Sequence, residues 1–156
     1  MRKVTFLVLA FALGLLLVNS SQALLLHVSD EHLVDNSACI AVGKVVDKVS
    51  DWEGEIIVTF ATIEVEQFLK ADTEAERIVV AYHGGTIGDL SLTVPDSPEF
   101  EVGERVIVFG QQDENGRYIL YAWRNGKFTV EDGTVVERSI SEEAFINHFK
   151  EIIAVK

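Results

Sequence analysis

Residues 55–68, Glu55-Ile56-Ile57-Val58-Thr59-Phe60-Ala61-Thr62-Ile63-Glu64-Val65-Glu66-Gln67-Phe68, decide how this chain folds. The run is rich in β-branched and aromatic residues and far exceeds the usual strand of about five or six residues. Its apolar side chains do not keep one phase. Val58 and Phe60 mark one face of a strand, Ile63 and Val65 the other. A strand whose apolar residues change faces is expected where it coils around a small barrel, often through a bulge.

The neighbouring segments extend the pattern in both directions. Residues 40–49 are rich in Val and Ile with Gly43 in the interior, where a glycine marks a bend or a close backbone approach. Asp51-Trp52-Glu53-Gly54 reads as the turn between the two long strands. Residues 78–82 form a third strand, nearly continuous in apolar character and so buried. The stretch His83-Gly84-Gly85-Thr86-Ile87-Gly88-Asp89 reads as a loop, followed by a short strand over 90–94. Pro95-Asp96-Ser97-Pro98 must turn, and residues 105–110 make another continuous apolar strand. Beyond it the chain reads as a meander. Asp113-Glu114-Asn115-Gly116 leads into 117–123. Asn125-Gly126 predicts a type I′ hairpin into 127–131, and Asp132-Gly133 a second into 134–138.

Helices are expected at both ends. Ser29 caps a short turn with Asp30 and Glu31 at its positive end and Leu33 and Val34 as its apolar contact. Ser139 or Ser141 caps an amphipathic helix with Phe145, Ile146, Phe149, Ile152 and Ile153 on one stripe, suited to covering one face or opening of the sheet. Together these predict a mainly β chain: a five-to-seven-stranded antiparallel, OB-like β-barrel with a C-terminal amphipathic helix, a flat sandwich being the alternative.

The amino terminus gives the address. Arg2 and Lys3 precede a wholly apolar run over 6–18, then Asn19-Ser20-Ser21-Gln22-Ala23 with small residues at the −3 and −1 positions. That is a signal-peptide helix, shorter than the roughly 20 residues of a membrane span, with cleavage expected after Ala23. The expected organisation is a signal peptide over 1–23 and one barrel domain over 24–156, exported to the periplasm, the cell envelope or the medium. Membrane association follows only if the signal is retained as an anchor.

Charge and cysteine content narrow the partners. The formal charge is −12, becoming −14 when Arg2 and Lys3 leave with the signal. Such a molecule repels nucleic acid and anionic lipid. Cys39 is the only cysteine, so neither an internal disulfide nor a cysteine zinc site can form, and Ala38 and Ile40 beside it suggest a small buried hydrophobe. No metal site and no cofactor is expected.

Three phrases carry a resemblance: Ile40-Ala41-Val42-Gly43-Lys44-Val45-Val46, then Ile63-Glu64-Val65-Glu66-Gln67-Phe68-Leu69-Lys70, then Phe100-Glu101-Val102-Gly103-Glu104-Arg105-Val106-Ile107-Val108-Phe109. In that order they resemble netrin-like domains and the amino-terminal domains of tissue inhibitors of metalloproteinases, which are OB-type barrels. Gly84-Gly85-Thr86-Ile87-Gly88 with Asn125-Gly126-Lys127-Phe128 is also similar to a group of uncharacterised exported prokaryotic proteins. The likeness spans roughly residues 39–128 and implies a fold more than an activity. It departs at one point that matters. The inhibitors chelate the enzyme's zinc with a disulfide-held amino-terminal cysteine, whereas Leu24 is the expected mature terminus here and Cys39 has no partner.

Candidate chemistry is sparse. His27, His32, His83 and His148 fall in no metal-binding spacing. His83 ends a buried strand against Gly84-Gly85, and a hydrolytic role would require Ser91, Asp89 or a glutamate at its ring; a rim histidine beside a tight bend is the simpler reading. Glu64 and Glu66 share a strand face and read as a solvated pair. Trp52, Trp123 and Phe128 lie near turns, where aromatics serve recognition or cap a core. The candidate binding residues are therefore Trp52, His83, Gly84, Gly85, Asp89 and Trp123. They suit a non-enzymatic binding or inhibitor module acting on a secreted protein such as a protease. A small hydrolase centred on His83 and an envelope structural component are the alternatives.

Overall fold

The computed structural model describes residues 28–114 and 117–156; the expected signal peptide lies outside the described residues. The elements run α1 (Asp30–Asn36), β1 (Cys39–Glu53), β2 (Ile56–Lys70), β3 (Arg77–His83), β4 (Gly85–Ile87), β5 (Leu90–Leu92), β6 (Arg105–Gln112), β7 (Tyr118–Leu120), a 3₁₀ turn (Trp123–Gly126), β8 (Lys127–Glu131), β9 (Thr134–Val135), β10 (Ile140–Ser141) and α2 (Glu142–Ala154). The chain is mainly β, with a carboxy-terminal helix.

Five strands close on themselves in the order β1-β2-β3-β7-β6, because β1 also pairs with β6. Every seam is antiparallel except β3–β7, where Val80 and Ala81 run parallel to Tyr118 and Ile119. Closure needs bent strands. The β1–β2 register shifts at Ile40/Ala41, Val42/Gly43 and Val45/Asp47, three irregularities that let the long hairpin coil. The shift at Val46 also reverses the phase of β1. Cys39, Ala41 and Val45 face the ring interior before it; Lys48, Ser50 and Trp52 share that side after it.

Two cores result. Cys39, Ala41, Val45, Ala61, Ile63, Ile78, Val80, Phe100, Val106, Val108 and Leu120 fill the ring. On the outer face of β1, β6 and β8, Ile40, Val42, Ile107, Phe109, Phe128 and Val130 pack with Phe145 and Phe149 of α2 and Leu33 and Val34 of α1. This explains the unbroken apolar run of β6: Val106 and Val108 serve one core, Ile107 and Phe109 the other. Both helices cap as the sequence predicts. Ser29 Oγ accepts from the His32 amide and Ser141 Oγ from the Ala144 amide. Asp30 ties them together by accepting from Arg138 at 2.6 Å and pairing with His148 at 3.0 Å.

Several expectations need correction. Asn125-Gly126 is not a hairpin turn. One edge of β7 pairs with β6 and the other closes the ring on β3, so no edge remains for β8. Instead β8 pairs with Arg105–Val108 on the same edge of β6 that β7 uses further along. The chain crosses between them through left-handed Ala122 and Trp123 and the 3₁₀ turn. The meander therefore does not exist as such, whereas Asp132-Gly133 does turn β8 into β9, both residues having positive φ. Residues 51–53 are paired strand, with the turn at Gly54-Glu55. The predicted loop 83–89 contributes β4, which forms a hairpin with β5.

Candidate functional site

At the hairpin end of the ring the inner wall changes from apolar to polar. Lys48, Ser50, Thr59 and Tyr82 replace the aliphatic side chains found deeper inside, and the β4–β5 hairpin folds over them. Its seat is specific. The Thr59 hydroxyl, almost fully buried, donates to the Gly84 carbonyl at 2.6 Å. With its one hydrogen committed there, Thr59 Oγ1 accepts from Ser50 Oγ at 2.8 Å. Gly85 lies directly over this pair: a Cβ there would stand 2.2 Å from Thr59 Oγ1 and 2.4 Å from Ser50 Oγ, at a φ of +137°. No other residue type fits both constraints.

The space enclosed is a cleft of about 390 Å³ whose walls include Thr86, Ser91, Ser97 and Glu99. Lys48 Nζ donates to the Phe100 carbonyl at 2.7 Å and stands 3.6 Å from Glu101. Burial pushes the Tyr82 phenol up, opposed by the Thr59 hydroxyl and the Phe100 backbone. The cleft is thus lined by hydroxyls together with the Lys48 ammonium and the carboxylates of Glu99 and Glu101.

A second hollow of about 280 Å³ opens on the other side of His83, between it, Pro98, Ile119 and Trp123. The Trp123 ring meets His83 edge-on at 5.8 Å. Among the described residues the His83 ring makes no hydrogen bond to Ser91, Asp89 or a glutamate; Ser91 instead accepts from Thr86 at 3.2 Å. The Ser97 hydroxyl donates to the His83 backbone carbonyl, fixing the chain rather than the imidazole.

The structure brings His83, Gly84 and Gly85 to the polar cleft, and His83 with Trp123 to the second hollow. Trp52 sits opposite Ile57 near the tip of the β1–β2 hairpin, half-exposed, and lines neither space. Asp89 follows Gly88 in the β4–β5 turn and is also outside both. Phe128 belongs to the helix-side core. Ser50 escaped the sequence reading because its facing depends on the bulge at Val46, whereas Thr59 and Tyr82 share by simple alternation the inward phase of Ala61 and Val80; a polar Thr59 inside an apolar run was the available signal.

Among the described residues, no three His, Cys, Asp or Glu side chains gather so as to hold a metal ion. No protein-family model matches the chain, and no curated protein is significantly similar to it.

Cys39 stands apart from both spaces, buried in the ring. Desolvation pushes its thiol from the ordinary 9.0 up to about 12. The folded state therefore holds a proton that the unfolded chain loses, so this contribution to stability is intact below pH 9 and drains away as pH rises toward 12. Iodoacetamide at pH 8.5 is expected to label Cys39 in urea but not in the folded protein, and Cys39→Ala is expected to flatten the alkaline fall in urea midpoint. Rapid labelling of folded protein would contradict this burial.

Proposed function

We propose that this protein acts outside the cytoplasm as a non-enzymatic binding module, an OB-type barrel of netrin-like character that engages a protein partner such as a secreted protease. Export rests on the leader-like residues 1–23. The barrel assignment is supported by the closed strand order β1-β2-β3-β7-β6 with its one parallel seam. The expected contact surface is the hairpin end of the ring: the β4–β5 hairpin, the β1–β2 tip with Trp52, and the hollow at Trp123.

One observation carries the binding reading. The β4–β5 hairpin is locked to the ring wall by the Ser50–Thr59–Gly84 chain and by the glycine seat at Gly85. A projecting hairpin held this firmly loses little freedom when a partner docks, which is how rigid inhibitor loops gain affinity. The hydrolase alternative needs an acid or nucleophile at the His83 ring, whereas among the described residues Ser91 bonds Thr86 instead and the aromatic neighbour of His83 is Trp123.

The test is recovery of a specific extracellular partner by the exported protein, followed by assay of any captured protease for inhibition. Gly85→Ala, which must displace the hairpin, is expected to weaken that complex by about tenfold or more. Absence of any specific partner from the medium and envelope, or a complex indifferent to Gly85→Ala, would overturn the proposal.

A further inference from the structure

The outer surface of the ring is divided. Over β1, β6 and β8 it lies beneath α1 and α2. Among the described residues, β2 joins that helix-side core only through Leu69 at its far end, and β3 and β7 not at all; over this part of the ring the strand register aligns Val49, Phe60, Ala81 and Ile119 as one apolar row across four strands. Val49 is 53 % exposed and Ile119 37 %. Only the two ends of this row meet water: Ala81 between them is buried and the Arg117 guanidinium lies over the Phe60 ring at 6.0 Å. Exposed apolar ends of this kind on a sheet face, where polar residues are usual, mark an interaction surface. The adjacent row continues from Val58 to His83 and ends against Trp123.

Trp123 is held there under strain. It and Ala122 both have φ near +55°, a left-handed conformation that non-glycine residues rarely adopt. The fold accepts this while leaving the indole 48 % exposed beside the hollow of about 280 Å³.

The charge around this face is one-sided. Asp47, Asp51 and Glu53 occupy the same outward phase of β1, opposite Thr62, Val58 and Ile56. At the ordinary strand spacing, Asp51 stands about 10 Å from His83, two strands away. Residues 78–104 contain Asp89, Asp96, Glu99, Glu101 and Glu104 but no Lys or Arg. Arg117, which lies over the Phe60 ring and lines the hollow, is paired with Glu53 and Asp113, so its charge and that of Glu53 offset each other, and Arg124 stands 3.9 Å from Asp96. Asp47 and Asp51 supply the remaining charge of this edge. A second copy docking face to face would set these carboxylates against their own kind.

Resting on the protein-binding reading above, we propose that this face receives a basic segment of the partner bearing one large apolar side chain. The apolar group enters the hollow at Trp123 and Ile119, and flanking Lys or Arg residues meet Asp47 and Asp51 on its rim.

A display library of random twelve-residue peptides, panned against the protein recovered from an exporting host, tests this. Synthetic copies of enriched peptides are then titrated while following the Trp123 indole resonance in a Trp52→Phe background. The expected winners combine basic residues with an apolar anchor, bind more weakly as salt rises, and move the Trp123 signal. Trp123→Ala and Ile119→Thr are each expected to weaken them about tenfold; Ile119→Thr guards against a folding defect in the other. Enrichment of acidic or neutral peptides would overturn the charge inference while leaving protein binding intact. Affinity unchanged in both variants would place the site elsewhere. Self-association abolished by Ile119→Thr would assign the face to a second copy, and no enrichment at all would overturn both this proposal and the binding reading.

Discussion

Replacing Phe109 with alanine is expected to lower the unfolding free energy by about 3–5 kcal/mol, the range for deleting a buried phenylalanine. Phe109 is fully buried on the outer face of β6, edge-on to Phe149 at 4.9 Å and to Phe128 at 5.7 Å. It thus joins the sheet to α2. Neither large neighbour can swing to fill the space, since Phe145 already packs against Phe149 at 4.7 Å and Phe128 at 4.8 Å. Domains of this size hold only about 5–15 kcal/mol in all, so the loss would be a large share. Urea denaturation followed by far-UV circular dichroism measures it. A shift below about 1 kcal/mol would mean that α2 is not seated on the sheet.

Gly43→Ala discriminates more sharply because its sign is at stake. In an ordinary strand the change removes unfolded-state freedom and improves strand propensity, a gain of up to about 1 kcal/mol. In this ring Gly43 faces inward at a register shift, where a Cβ would stand 2.3 Å from the Glu64 carbonyl oxygen and 2.8 Å from Ile63 Cγ2. Backbone must move to admit it, and overpacking of that kind costs about 3 kcal/mol. The same denaturation experiment reads the result. A stabilised variant would imply a flatter, more open β1–β2 pair.

How much of this was legible in the sequence depended on how local each determinant is. The two capped helices, the Asp132-Gly133 turn and the doubly buried run of β6 follow from neighbouring residues, and all appear where expected. The switch of apolar phase in residues 55–68 also carried true information. Val58 and Phe60 face outward while Ala61 and Ile63 fill the ring. Asn125-Gly126 misled because its local preference for a hairpin loses to a distant fact: both edges of β7 are already paired. The polar cleft was hidden for a related reason. Lys48 and Ser50 face inward only because Val46 is extra in the β1–β2 register, and no residue pattern announces that bulge. The apolar row from Val49 to Ile119 is assembled from four strands and exists only once their alignment is known. Of the six candidate binding residues, His83, Gly84, Gly85 and Trp123 line the two spaces, while Trp52 and Asp89 remain peripheral.

The unpaired edge of β1 shows how an exposed hairpin avoids unwanted pairing. Beyond Val45 this strand has β2 on one side only, and the amides of Lys48 and Trp52 are taken by the carboxylates of Asp47 and Asp51 at 2.9 and 2.7 Å. Capping edge amides with charge blocks strand addition there. Association is thereby directed to side chains on the faces of the sheet.

Every functional inference depends on closure of the ring at the β3–β7 seam, which places Ile119 and Trp123 beside Ala81 and His83. Nuclear Overhauser spectroscopy on labelled protein tests it directly. Cross-strand contacts in parallel register between Val80 and Tyr118 and between Ala81 and Ile119 are the predicted result. Their absence, with the amides of 79–83 exchanging as rapidly as those of a free edge, would contradict the closed ring.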